Sequence, residues 1–409
     1  MASTKNSASH LASSASLRRR LGPVLLVLYG VGVTIGAGIY VLVGAVAGYA
    51  GLYAPWAFLL AAVVMGLTVA SYAEMCTRYP VAAGEAAYVR AAFRSRLLST
   101  MTGVAMIGTA VIASATVALG ASGYIAQFVG WPQGAVVLLT VSVLGIVAAK
   151  GVLESVVLAS LFTVVEVAGL LVIVAGGLAN GAPIGAALTI PPMSLPLWSG
   201  IAFASLLAFF AFIGFEDLTN MAEETVAPER TLPVALSITL VATTVLYALV
   251  AAVAVTTVPV KELASSSAPL SLVFRAVVSP NEKILSAIAI VATLNTILAE
   301  MTMATRVIYG MARQGDLPKA LGHVHGHTST PLLATAAAVA LILGFALLVP
   351  FLQLATATAI GTLAVFALVN LSLIRVRLRE GPSRHVRVPL WVPIAGLITC
   401  VAMMGTALI

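Results

Sequence analysis

The chain alternates long apolar runs with short polar connections. Runs long enough to span a bilayer as helices, about 20 residues each, fall at roughly 21–50, 53–77, 97–129, 134–149, 153–179, 197–222, 233–258, 283–312, 331–350, 352–374 and 388–409. The pattern predicts about eleven spans in an all-α polytopic membrane protein, with no connection long enough to hold a soluble domain. One stretch departs from it. Gly30 to Tyr40, GVGVTIGAGIY, places four glycines in eleven residues inside the first run. Glycine weakens a helix, and backbone groups released in lipid are costly to leave unpaired.

Composition agrees with the pattern. Of 409 residues 61% are hydrophobic and 9% charged, with a mean hydropathy of +1.09. Lys and Arg outnumber Asp and Glu by 21 to 14, but the basic residues sit in short clusters between spans. That placement orients helices in a bilayer, and nucleic acid is not a partner it suggests. With the N-terminus on the cytoplasmic side, the inner connections carry Arg18, Arg19, Arg20, Arg78, Arg90, Arg94, Arg96, Lys150, Arg230, Arg313, Lys319, Arg375, Arg377, Arg379, Arg384 and Arg387. The outer ones carry only Lys261, Arg275 and Lys283. The expected location is therefore the cytoplasmic membrane, multi-pass, with the N-terminus inside. Residues 1–17, rich in Ser and Ala, read as a disordered tail. The apolar run after the triple arginine is too long for a cleaved signal and reads as a signal-anchor first helix. Two cysteines, Cys76 and Cys400, are too few for a disulfide framework.

Gly30, Gly32, Gly36 and Gly38 admit a plain reading as small residues at a helix contact. Their density instead suggests a break. A second interruption stands in the sixth run, FFAFIGFEDLTNMAEE from Phe209, where Gly214 precedes Glu216 and Asp217 in apolar surroundings. Two broken helices, each opening a set of five spans, point to an inverted-repeat transporter. The expected units are residues 18–180 (spans one to five), 181–380 (spans six to ten) and 381–409 (the eleventh span and its lead-in). Half-helix N-termini present N–H groups to an anion, and half-helix C-termini present carbonyls to a cation. An α-amino acid carries both charges on one carbon.

The chain resembles the amino acid–polyamine–organocation superfamily of permeases, with the LeuT-type fold. The resemblance rests on GVGVTIGAGIY, on SYAEMCTRYPVAAGEAAYV from Ser71, on FFAFIGFEDLTNMAEETVAPERTLPVAL from Phe209, and on TRVIYGMARQGDLPKALGHVH from Thr305. It implies that the N–H groups of Gly36, Ala37 and Gly38 bind the substrate carboxylate. It also implies that the carbonyls near Val33, Thr34, Ala211 and Ile213 take the amino group, and that Phe210 is a gating aromatic, although a lipid-facing or core ring is as natural a reading of that residue. The segment EETVAPERTLP resembles an inner gate, with Glu223, Glu224 and Arg230 expected to pair with arginines of the second and eighth connections. Relatives usually have twelve spans.

The chain departs from the resemblance in its fifth span. Where many relatives carry a T-x-x-K lysine, FTVVEVAGLL places Glu166 after Thr163. The eighth span adds Glu300. A carboxylate in mid-membrane is expensive and by default functional. Glu166 and Glu300 are candidates to share a proton, to bind Na⁺, or to pair with a basic residue such as Arg306; Glu216 is the next candidate for coupling. The expected function is secondary active transport of an amino acid by alternating access, proton-coupled or by exchange, in a monomer or homodimer without a cofactor. A polyamine or organic-cation transporter and a non-transporting amino acid sensor remain the alternatives. An intramembrane enzyme is disfavoured. GASG at Gly120 would need a histidine base, and His10, His323, His325, His327 and His385 all fall in the tail or the connections. The cluster HVHGH is a solvated loop more often than a metal site.

Overall fold

The computed structural model describes residues 21–80, 84–150, 156–325, 328, 330–381, 383 and 385–408. The expectations for residues 1–17, for the triple arginine, and for His10, His327 and Arg384 lie outside them. The described chain is helical: α1 Pro23–Ile35, α2 Gly38–Ala50, α3 Ala54–Arg78, α4 Gly84–Phe93, α5 Arg96–Ile125, α6 Gln133–Ala149, α7 Val156–Ala179, α8 Ile184–Leu188, α9 Leu195–Phe210, α10 Asp217–Asn220, α11 Pro228–Thr257, α12 Val260–Ser265, α13 Pro269–Val277, α14 Lys283–Gln314, α15 Leu332–Leu348, α16 Phe351–Glu380 and α17 Trp391–Gly405. Each apolar run carries a helix, and the first and sixth carry two. Seven helical stretches are long and apolar enough to cross a membrane, and Pro23–Ile35, Gln133–Ala149, Leu195–Phe210 and Leu332–Leu348 are shorter apolar helices. The protein is an all-α polytopic membrane protein.

Local chemistry sets the helix ends. Proline opens α1, α3, α9, α11 and α13, where its missing N–H has no intrahelical acceptor to lose. The Ser95 hydroxyl accepts the Leu98 N–H at the start of α5. The short helices α4, α8, α12 and α13 lie between the long runs and left no distinct signal in the hydrophobic pattern.

Apolar side chains face both ways, as a lipid solvent permits. Leu138, Leu139, Val143 and Ile146 on α6 and Leu161, Val164 and Leu171 on α7 are exposed. The interior holds the large rings instead: Tyr40, Tyr72, Tyr124, Tyr247, Phe209, Phe212, Phe215 and Phe366 are all buried. Buried tyrosines need partners for their hydroxyls. Tyr124 donates to the Tyr40 carbonyl at 2.5 Å, and Tyr40 donates to the Glu166 carbonyl at 2.8 Å.

The two broken spans run antiparallel along one another. Leu21 forms a bridge with Thr225, Gly214 packs on Val33, Gly38 packs on Ala211, and the Tyr49 ring meets Phe203 with centroids 4.7 Å apart. Rising numbers on the first span meet falling numbers on the sixth. The segment after α10 meets the chain start through its backbone: Leu21 donates to the Glu224 carbonyl and Val226 to the Leu21 carbonyl, both at 3.0 Å. Two ion-paired acids had no role in the sequence reading. Buried Glu74 accepts from Arg78 and Arg377 and from the Val388 N–H, and Asp316 accepts from Arg96.

Candidate substrate site

The glycines of the first span divide into two roles. A Cβ at Gly32 would sit 1.8 Å from the Thr163 hydroxyl, and one at Gly30 would sit 2.7 Å from Leu218 and Thr239. These two glycines admit α7, α10 and α11 as close neighbours. Gly36 and Gly38 make the break. Gly36 ends α1 at φ +22°, a backbone that a side chain rarely adopts. Its N–H donates to the Gly32 carbonyl at 2.9 Å. That bond occupies the Gly36 N–H within α1. The unpaired N–H groups required by helix geometry belong to the first turn of α2, from Ala37 and Gly38 onward. Gly38 has a second duty: a Cβ there would lie 2.4 Å from the Cα of Ala211, in the other break.

The sixth span is opened differently. Turns replace the helix from Ala211 to Glu216, and Gly214, at φ +113°, lets the backbone reverse against Val33. The Glu216 carboxylate accepts the Gly214 N–H at 2.9 Å. The two openings are tied by Tyr247 of α11, whose hydroxyl lies 2.8 Å from the carbonyl oxygens of both Thr34 and Ala211. Two of the carbonyls expected to take an ammonium group thus already share a donor. The Thr34 hydroxyl is buried at the break with no hydrogen-bond partner among the described residues.

The remaining candidates separate. Phe210 is buried at the end of α9, and its carbonyl accepts the Ile213 N–H. Glu166 is fully buried, with its carboxyl group in electrostatic range of the Tyr40 and Tyr247 hydroxyls. Glu300 lies elsewhere, on the wall of a cavity of about 20 Å³ together with Ile213, Glu216, Asp217 and Glu85. Asp217 lies within electrostatic range of both Glu300 and Arg306. The structure therefore groups Glu300 with Glu216, and Glu166 with the tyrosines of α2 and α11. Sequence reading gave no role to Tyr247 or Glu85. A lone phenol amid VATTVLYALV was the signal for the first, and the glutamate of AAGEAAYV for the second.

The amino acid permease family matches this chain over residues 21–409. The branched-chain amino acid permease BcaP of Bacillus subtilis is 29% identical over 394 residues, covering 89% of this chain and 82% of that protein. The vacuolar cationic amino acid transporter 4 of Arabidopsis thaliana is 30% identical, over 88% of this chain and 64% of its own length. The methylthioribose transporter of Bacillus subtilis is 28% identical, over 94% and 87% respectively.

Proposed function

The chain belongs to the amino acid permease family and is an amino acid transporter, and from this premise we propose that its substrate sits where the first and sixth spans break. The α-carboxylate is held by the first-turn N–H groups of α2, at Ala37 and Gly38, with Gly36 providing the turn that exposes them. The α-ammonium group is held by carbonyls of Val33, Thr34, Ala211 and Ile213, in part by displacing the Tyr247 hydroxyl. The observation that carries this reading is the contact of the breaks, Gly38 against Ala211 and Gly214 against Val33. It brings the first-turn N–H groups of α2 and the carbonyls of both breaks within one ligand's reach.

The antiparallel course of the two broken spans is what an inverted repeat requires of its first helices. It supports division into residues 18–180 and 181–380, with the eleventh span appended. Transport then proceeds by alternating access of the two halves around the site. Phe210, at the rim of the second break, closes over the substrate. Glu166 is the coupling group, because it is buried beside the first break, where Tyr40 of α2 is bonded to its backbone carbonyl; its counter-ion is a proton, with Na⁺ as the second reading. The basic connections place the N-terminus on the cytoplasmic side of the cytoplasmic membrane.

Counterflow in proteoliposomes tests the reading. Labelled amino acid should enter vesicles loaded with the unlabelled compound and accumulate transiently, and the same compound should raise the melting temperature of the purified protein. Stabilisation without flux would make the protein a sensor. Tighter binding of amines that lack a carboxylate would make it an organic-cation transporter.

A further inference from the structure

The cavity beside the second break has an unusual wall. Four of its lining residues are acids: Glu85 from α4, Glu216 and Asp217 from the break and the start of α10, and Glu300 from α14. Among the described residues no lysine, arginine or histidine lines it; the one basic group in electrostatic range of Asp217 is Arg306 of α14, which stands outside the wall. Glu85 is 1% exposed. Its Oε1 accepts the Tyr72 hydroxyl at 2.8 Å, while its Oε2, equally buried, has no hydrogen-bond partner among the described residues. Glu216 is half-committed to the Gly214 N–H, and Asp217 has a long contact of 3.4 Å with Asn220. Carboxyl groups gathered in an enclosed space repel one another and are costly to bury without a cation.

We propose that this cavity is the side-chain subsite of the transporter and that it takes a positively charged side-chain end, so that the substrates are basic amino acids. The proposal rests on the placement of the α-groups at the two breaks. Ile213 and Glu216 belong both to the sixth-span break and to the cavity wall, so a side chain leaving that site enters the cavity directly. The rest of the wall suits an aliphatic stem. Met106 of α5 and Met303 of α14 flank the acids, and unbranched thioethers repack readily around a chain of methylenes. The opening of about 20 Å³ admits roughly one water as it stands. Entry of the side chain therefore moves these methionines, and closure around the cation pairs Asp217 and Glu300 with it. Glu85 supplies the unused acceptor, its Oε2.

Lysine and norleucine, which differ chiefly in the terminal ammonium group, test the subsite on the unmodified protein. Lysine, arginine or ornithine should compete in counterflow at least about tenfold better than norleucine, since a buried acceptor set left without its cation forfeits a charge-assisted bond. Asp217→Asn and Glu300→Gln should shrink that ratio to within about threefold, with a melting temperature close to that of wild type showing that each variant is folded. Norleucine or leucine preferred over lysine in the wild type would overturn the subsite and leave amino acid transport standing. No exchange of any amino acid would instead remove the transport reading beneath it. Stabilisation by Na⁺ alone, lost in Asp217→Asn and without a lysine preference, would make the cavity an inorganic cation site and also overturn the proposal.

Discussion

The first and sixth spans are both broken at mid-length, yet they are broken by different means. In the first, two residues suffice: α1 ends at Ile35 and α2 resumes at Gly38, without an ionisable side chain in the opening. In the sixth, six residues from Ala211 to Glu216 leave the helix, α10 is only four residues long, and two adjacent acids follow Gly214. The first opening offers backbone partial charge from a long half-helix of 13 residues. The second offers carbonyls and full carboxylates. One opening is therefore defined by main-chain geometry and the other also by acidic side chains, and substitutions should affect the two in different ways.

The largest effect is expected where the openings touch. Gly38→Val places branched carbon against the Ala211 backbone, and overpacking of this kind costs about 1–3 kcal/mol. Because it also misplaces the N–H groups of α2, counterflow should fall about a hundredfold or more, while the protein still reaches the membrane. Full activity in Gly38→Val would mean that the two breaks separate in the working protein.

Glu166 lies outside both openings and should distinguish coupling from binding. In Glu166→Gln, uptake driven uphill by an inward proton gradient should fall at least about tenfold, toward the level of passive equilibration. Counterflow, which needs no net coupling, should stay within about threefold of wild type. Wild-type concentrative uptake in this variant would move coupling to Glu216 or to another group. Stimulation by Na⁺ without any response to pH would replace the proton.

Tyr247→Phe removes the one hydroxyl that ties the openings together. Two buried carbonyls lose a shared donor, a cost of about 1–3 kcal/mol, measurable as a lower melting temperature. If the substrate ammonium takes the same carbonyls, ligand should restore more of the lost stability in this variant than in wild type. An equal ligand-induced shift in both would place the ammonium elsewhere. The smallest effect is expected from Phe210→Ala, with KM raised about three- to tenfold through loss of a lid and a minor change in folding. Unchanged kinetics would leave that ring a packing residue.

Much of the framework was legible before any coordinates. Runs of about 20 apolar residues dictate helices because lipid offers backbone groups no other partner, and every such run proved helical. The density of glycine around Gly36 marked the first break, and Gly214 with two acids marked the second. Gly30 and Gly32 proved to be packing positions, which glycine density could not reveal because the neighbours that require them, Leu218, Thr239 and Thr163, are remote in sequence.

The sequence by itself determined the long apolar spans, the two interruptions, and the presence of costly acids at Glu166, Glu216 and Glu300. These follow from local composition, because lipid tolerates neither open backbone nor stray charge. Only the tertiary structure decided which acids share a space. It set Glu166 with Tyr40 and Tyr247, and it joined Glu300 to Glu216, Asp217 and Glu85 across more than two hundred residues of chain. It also decided that Tyr247 spans both openings. Partners separated so far along the chain meet only through helix packing, and hydrophobic periodicity says which residues are buried without saying against what.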